Sequence, residues 1–103
     1  MRLVEPKDFE VSWGYKYVRF ADGTVLFCDA ADPCSSHKQV VDSKPDVPAF
    51  SAGTIRVRDK SWCVKEGGSS TAKLPRMPSD EKYIQRALEP FGYKHDEELW
   101  YSL

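Results

Sequence analysis

The chain has 103 residues, 41% of them hydrophobic, and its 15 Lys+Arg and 16 Asp+Glu leave a formal charge of −1. That length builds a single domain, residues 1–103, with one core that buries about two-thirds of the unfolded surface without disulfide staples. The balanced charge argues against a general grip on DNA, RNA or an anionic membrane. No apolar run reaches the ~20 residues of a membrane span, and the N-terminus (Arg2, Glu5, Lys7, Asp8, Glu10) has no signal-peptide core. The expectation is a soluble, cytoplasmic protein with its three cysteines, Cys28, Cys34 and Cys63, reduced.

Residues 1–13 read as a mixed edge segment with Trp13 as an anchor. Tyr15–Phe20 and Thr24–Cys28 are rich in aromatic and β-branched residues and flank Asp22-Gly23, which predicts a hairpin. Ser35 or Ser36 then caps a short helix whose His37, Val40 and Val41 share one face, and the prolines between Asp42 and Pro48 end it. In a second hairpin, Ile55, Val57, Trp62 and Val64 form an apolar face, and Thr54, Arg56, Arg58, Cys63 and Lys65 a cationic one, about a turn at Asp59-Lys60. A Gly67-Gly68-Ser69-Ser70-Thr71 loop follows. Ser79 is the expected N-cap of a second helix, with Asp80 and Glu81 complementing its dipole and Tyr83, Ile84, Ala87 and Leu88 facing inward. Pro90 and Gly92 stop it, and Leu99–Leu103 reads as a final strand. The expected fold is α+β in the order ββαββαβ, a mainly antiparallel sheet with two helices packed against it.

The chemistry-bearing residues gather around the second hairpin. Arg56, Arg58 and Lys65, with the backbone N–H groups and hydroxyls of Gly67–Thr71, are the parts of an anion cradle. A histidine beside such a cradle suits proton or phosphoryl transfer, because the loop stabilises charge while the imidazole moves the proton. The plain alternative for His37 is a packed helix residue bonded to backbone. For the cations the alternative is a solvated sheet face, and for the glycines a turn. A zinc reading joins Cys34 and His37, with two residues between them, to Cys28 and Cys63 as a Cys₃His set. Against it stand the missing short-spaced ligand pairs and the position of Cys28 and Cys63 in strand patterns, where small buried thiols are ordinary. His95, among Lys94, Asp96, Glu97 and Glu98, reads as part of a solvated turn or the lip of the last strand, and Trp13, Trp62 and Trp100 as core or edge anchors.

The order of elements, His37 opening the first helix, the strand Ala52-Gly53-Thr54-Ile55-Arg56 and the Gly67-Gly68-Ser69 turn resemble the janus/phosphohistidine phosphatase family over roughly residues 15–103. Ser36-His37, Ala52-Gly53, Gly67–Thr71 and Arg76-Met77-Pro78-Ser79-Asp80 are also similar to small uncharacterised bacterial proteins associated with that fold. The resemblance implies His37 as general base or phosphate acceptor, Lys16 as a strand lysine facing phosphate, and Gly68, Ser69 and Thr71 as the loop that holds it. The chain departs from the family pattern where Arg56 stands about one residue out of place, a slip that reverses the face of a strand. A second arginine expected before the helix is also absent, with Asp29 near its place.

Two classes of function follow. The first is a binding or interaction module with an anion (phosphate) pocket formed by Lys16, Arg56, Gly68, Ser69 and Thr71, its partner a phosphate-bearing ligand or another protein. The second is a phosphohistidine phosphatase-like hydrolase using His37. Neither calls for a cofactor, and the sequence leaves the oligomeric state open.

Overall fold

The computed structural model describes residues 2–32, 35–65 and 72–102, the side chains of 100–102 excepted. In chain order it has β1 (Ser12–Phe20), β2 (Val25–Asp29), α1 (His37–Asp42), β3 (Ala49–Arg58), β4 (Ser61–Lys65), α2 (Asp80–Leu88) and β5 (Lys94–His95). Short 3₁₀ stretches lie at Pro6–Asp8, Glu89–Phe91 and Glu97–Ser102. The strands form one mixed sheet in the order β2-β1-β3-β4-β5, antiparallel except for the β4–β5 pair. The fold is therefore α+β, with β1 and β3 at its centre.

Turn chemistry sets both hairpins. Gly23 takes φ 91° and its N–H reaches the Phe20 carbonyl at 2.9 Å, while the Asp22 carboxylate accepts the Thr24 N–H at 2.9 Å. Between β3 and β4, Asp59 and Lys60 both adopt positive φ, 49° and 67°. A two-residue turn needs that conformation to follow the right-handed twist of its strands.

Alternation along the strands then divides the core in two. Tyr15, Tyr17, Phe27, Ile55, Val57 and Trp62 point to one face, where Ile84 and Leu88 of α2 and Tyr93 close over them. Val18, Phe20, Cys28 and Ala52 point to the other, under Val40 of α1. That helix starts as expected: the Ser36 hydroxyl accepts the Gln39 N–H, and the Gln39 side chain accepts the Ser36 N–H in return.

Three expectations change. Trp13 lies inside β1 rather than in a preceding edge segment. Among the described residues the last strand is Lys94–His95, and Glu97–Ser102, which takes in all of the expected Leu99–Leu103 strand except Leu103, itself outside the described residues, is a 3₁₀ helix. Asp96 explains it, because its carboxylate accepts the Glu98 N–H at 3.0 Å and its carbonyl the Leu99 N–H at 3.2 Å, turning the chain before the apolar run can extend.

Ser79, finally, stands at the N-cap position of α2 as expected, but its backbone is already helical and its side chain makes no cap bond. Its hydroxyl accepts from Arg19 at 2.7 Å. Asp80 stands in the first turn of α2 as expected, and it is also a fully buried hub. Its carboxylate accepts from the Tyr17 hydroxyl at 2.7 Å, the Met77 N–H at 3.0 Å, Arg19 Nη1 at 3.3 Å and the Ser51 hydroxyl. Arg19 is itself clamped between the rings of Tyr83 and Phe50, 3.8 and 4.5 Å from its guanidinium carbon.

Candidate functional site

Beyond the reach of α1, its face of the sheet turns polar. Register places Gly14 opposite Arg56 and Lys16 opposite Thr54. Side chains two apart along a strand share a face, so Lys16 and Arg56 are diagonal neighbours, a spacing of about 7–8 Å between such positions. The register therefore keeps the two cations on one face of the sheet.

Glycine opposite arginine leaves a gap. A cavity of about 440 Å³ opens there, lined by Ser12, Trp13, Gly14, Ala30, Ala31 and Arg56. Its walls are fixed by Asp29, whose Oδ1 accepts the Trp13 indole N–H at 2.7 Å and the Ala31 N–H at 2.8 Å. Arg56 Nε is buried and has no hydrogen-bond partner among the described residues. A second cavity, of about 280 Å³, is lined by Asp8, Glu10, Asp29 and Asp32 with Arg2, Val4 and Tyr15, so its charge repels anions.

Lys16 and His37 brace this region from the α1 side. Lys16 Nζ donates to the Ser35 carbonyl at 2.6 Å, which uses one of the three N–H groups of an ammonium. His37 is 7% exposed, and its Nε2 lies 2.7 Å from the Gly53 carbonyl. A carbonyl only accepts, so Nε2 carries the proton and the ring ties α1 to β3. Burial holds its pKa below the ordinary histidine value; the Gly53 bond opposes that, and the charge of Lys16 adds to it.

That shift fixes a pH dependence. The unfolded chain takes up a proton on His37 at higher pH than the folded chain, so stability rises with pH. The contribution is complete above the ordinary histidine pKa of about 6.5 and is lost as pH falls below it. In melts across this range, His37→Gln, which keeps a donor for Gly53, is expected to lose the His37 share of the fall in stability that wild type shows below about pH 6.5.

The remaining sequence candidates separate. Gly68, Ser69 and Thr71 lie outside the described residues, as does Cys34. Cys28 on β2 and Cys63 on β4 have two strands between them, a span of about 14 Å at the usual strand spacing, and do not converge with His37 as a donor set. Burial raises both thiols above their ordinary pKa, the protonated and inert state. Among the described residues the two most exposed large apolar side chains stand apart, Val11 just before β1 and Phe50 at the opposite end of the sheet.

Gly14, Ala30 and Ala31 were not among the sequence candidates. The available signal was a glycine inside a strand pattern, which marks a close approach or a space left open. Comparison with protein-family models, with curated proteins and with solved structures gives no match to this chain.

Proposed function

We propose that this chain is a binding module that takes a small oxyanion or a phosphate-bearing group in the cavity beside Gly14, with Arg56 as the principal donor and Lys16 as the supporting charge. The observation that carries this reading is the Arg56 Nε, a buried donor without a partner among the described residues, beside a cavity walled by Ala30 and Ala31. An unpaired buried donor is costly, and a planar guanidinium matches phosphate geometry, so an arriving oxyanion offers an acceptor that none of the described residues supplies.

Titration with phosphate and sulfate against chloride, read by melting temperature and calorimetry, tests it. Wild type is expected to gain stability with either oxyanion in proportion to saturation. Arg56→Gln is expected to abolish the gain, and Gly14→Leu to block it by filling the cavity. Arg58→Gln, whose arginine lines a different cavity with Asp96 and Glu98, is expected to retain it. Equal response in Arg56→Gln and wild type would sink the reading.

The hydrolase alternative, with its janus-like fold, has one observation in its favour: a buried histidine held neutral beside a lysine is a competent base. Its free nitrogen is Nδ1, since Nε2 serves Gly53. Hydrolysis of a phosphohistidine peptide, lost in His37→Gln while oxyanion binding persists, would favour catalysis.

A further inference from the structure

On the α2 face of the molecule, away from the anion cavity, three side chains from three different elements converge. Glu81 comes from the first turn of α2, His95 from β5 and Glu97 from the 3₁₀ helix that follows. One donor atom from each lies within 4.8 Å of the other two, and His95 Nε2 is 3.8 Å from Glu81 Oε1.

We propose that Glu81, His95 and Glu97 form a binding site for a divalent first-row metal ion of the zinc type. The donor set is the first argument. One imidazole nitrogen and two carboxylate oxygens suit zinc and its neighbours, whereas calcium and magnesium prefer oxygen alone.

Charge is the second. No lysine or arginine pairs with Glu81 or Glu97 among the described residues, so two carboxylates face one imidazole with no permanent cation between them. Ion pairs elsewhere in this chain do use Lys or Arg, as at Arg19–Asp80 and Lys38–Asp42.

Preorganisation is the third. The His95 ring packs against the buried indole of Trp62, centroids 4.6 Å apart, and only 22% of its side chain is exposed. One ligand is therefore held in place while Glu97, on the surface, is free to adjust. Donors bound to zinc at about 2.0–2.2 Å sit about 3.4 Å apart in a tetrahedral shell, so closing this one takes side-chain rotations of about an ångström. A cavity of about 540 Å³, lined by Gln85, Tyr93 and His95 among others, opens beside the histidine.

The ion would fasten α2 to β5 and to the chain that follows. Its role is then a staple for the C-terminal third, adding stability in proportion to occupancy.

Cobalt(II) titration of the full chain, followed by visible absorbance and by competition with zinc, tests the assignment. The expected result is a single site whose d–d spectrum reports nitrogen and oxygen ligands, without the near-ultraviolet thiolate-to-metal band that cysteine ligation produces. Glu97→Gln, a change at an exposed position with no bearing on the core, is expected to weaken binding at least about tenfold. His95→Gln is expected to weaken it further and to remove the zinc-induced rise in melting temperature. No cobalt binding at millimolar concentration, a thiolate band, or unchanged affinity in Glu97→Gln would each overturn the proposal.

Discussion

Replacing Asp80 by alanine is expected to destabilise this chain by about 3–5 kcal/mol, the cost of removing one partner of a buried charge pair. The loss is not one bond. The Tyr17 and Ser51 hydroxyls, the Met77 N–H and the Arg19 guanidinium all converge on that carboxylate, and alanine leaves every one of them without it in the interior. Arg19, whose side chain is 12% exposed, is then a nearly buried cation whose ion-pair partner is gone. At about 4–8 °C per kcal/mol for a domain of this size, the midpoint falls by more than about 10 °C in a thermal melt. Asp80→Asn keeps the volume and part of the hydrogen bonding and is expected to fall between alanine and wild type. Tyr17→Phe removes a single donor and is expected to cost about 1–2 kcal/mol. Burial, then the bond to Asp80, raises the Tyr17 pKa well above the ordinary tyrosine value, so the phenol stays a donor across the whole working range.

The second large effect is expected at Gly53. Alanine in place of a strand glycine ordinarily stabilises by roughly 0.5–1 kcal/mol, because glycine loses more freedom on folding. Here a Cβ would lie 2.8 Å from Tyr17 Cε2 and 2.9 Å from its hydroxyl oxygen. That ring cannot swing aside cheaply, since it is fully buried and tied to Asp80. Gly53→Ala is therefore expected to destabilise by about 1–3 kcal/mol, the usual range for overpacking. The mechanism has its own check. In a Tyr17→Phe background the ring is released from Asp80, so the Gly53→Ala penalty shrinks in a double-mutant cycle of chemical denaturation curves. Equal penalties in both backgrounds would show that Tyr17 is not what the new methyl meets.

How far these features could be read from the residues differs from one to the next. Both hairpins were legible, because alternating apolar positions meet turn residues that take the needed φ, Gly23 in one and Asp59-Lys60 in the other. The short first helix was legible too, through Ser36 and the spacing of His37 and Val40. Leu99–Ser102 misled because a short apolar run fits strand and helix equally, and the neighbouring Asp96 decides between them through two hydrogen bonds.

Asp80 was legible only in part: its place in the first turn of α2 could be read, its burial could not. An acid in the first turn of a helix is usually a surface residue serving the dipole, so its burial was hidden by a sound rule. Its partners carried the signal. Tyr17, Arg19 and Ser51 place polar groups at positions that point inward from two central strands, and such groups need a common acceptor. Of the anion site, Lys16 and Arg56 were legible as cations, but the register that puts them on one face depends on how β1 pairs with β3 across many intervening residues.

The way the sheet ends constrains how this chain meets others. Along the outer side of β2, Leu3 bridges to Cys28 and the Val4 N–H bonds to the Phe27 carbonyl at 2.9 Å. Where β4 no longer covers β3, the Ala52 N–H is taken by the carbonyl of Pro75 at 3.0 Å, from a residue with no N–H to carry the ladder onward. Unpaired strand edges recruit further strands, and these two stretches are already occupied. Docking by strand addition is closed along them, which keeps apolar strands of this kind from templating fibrils and leaves recognition there to side chains.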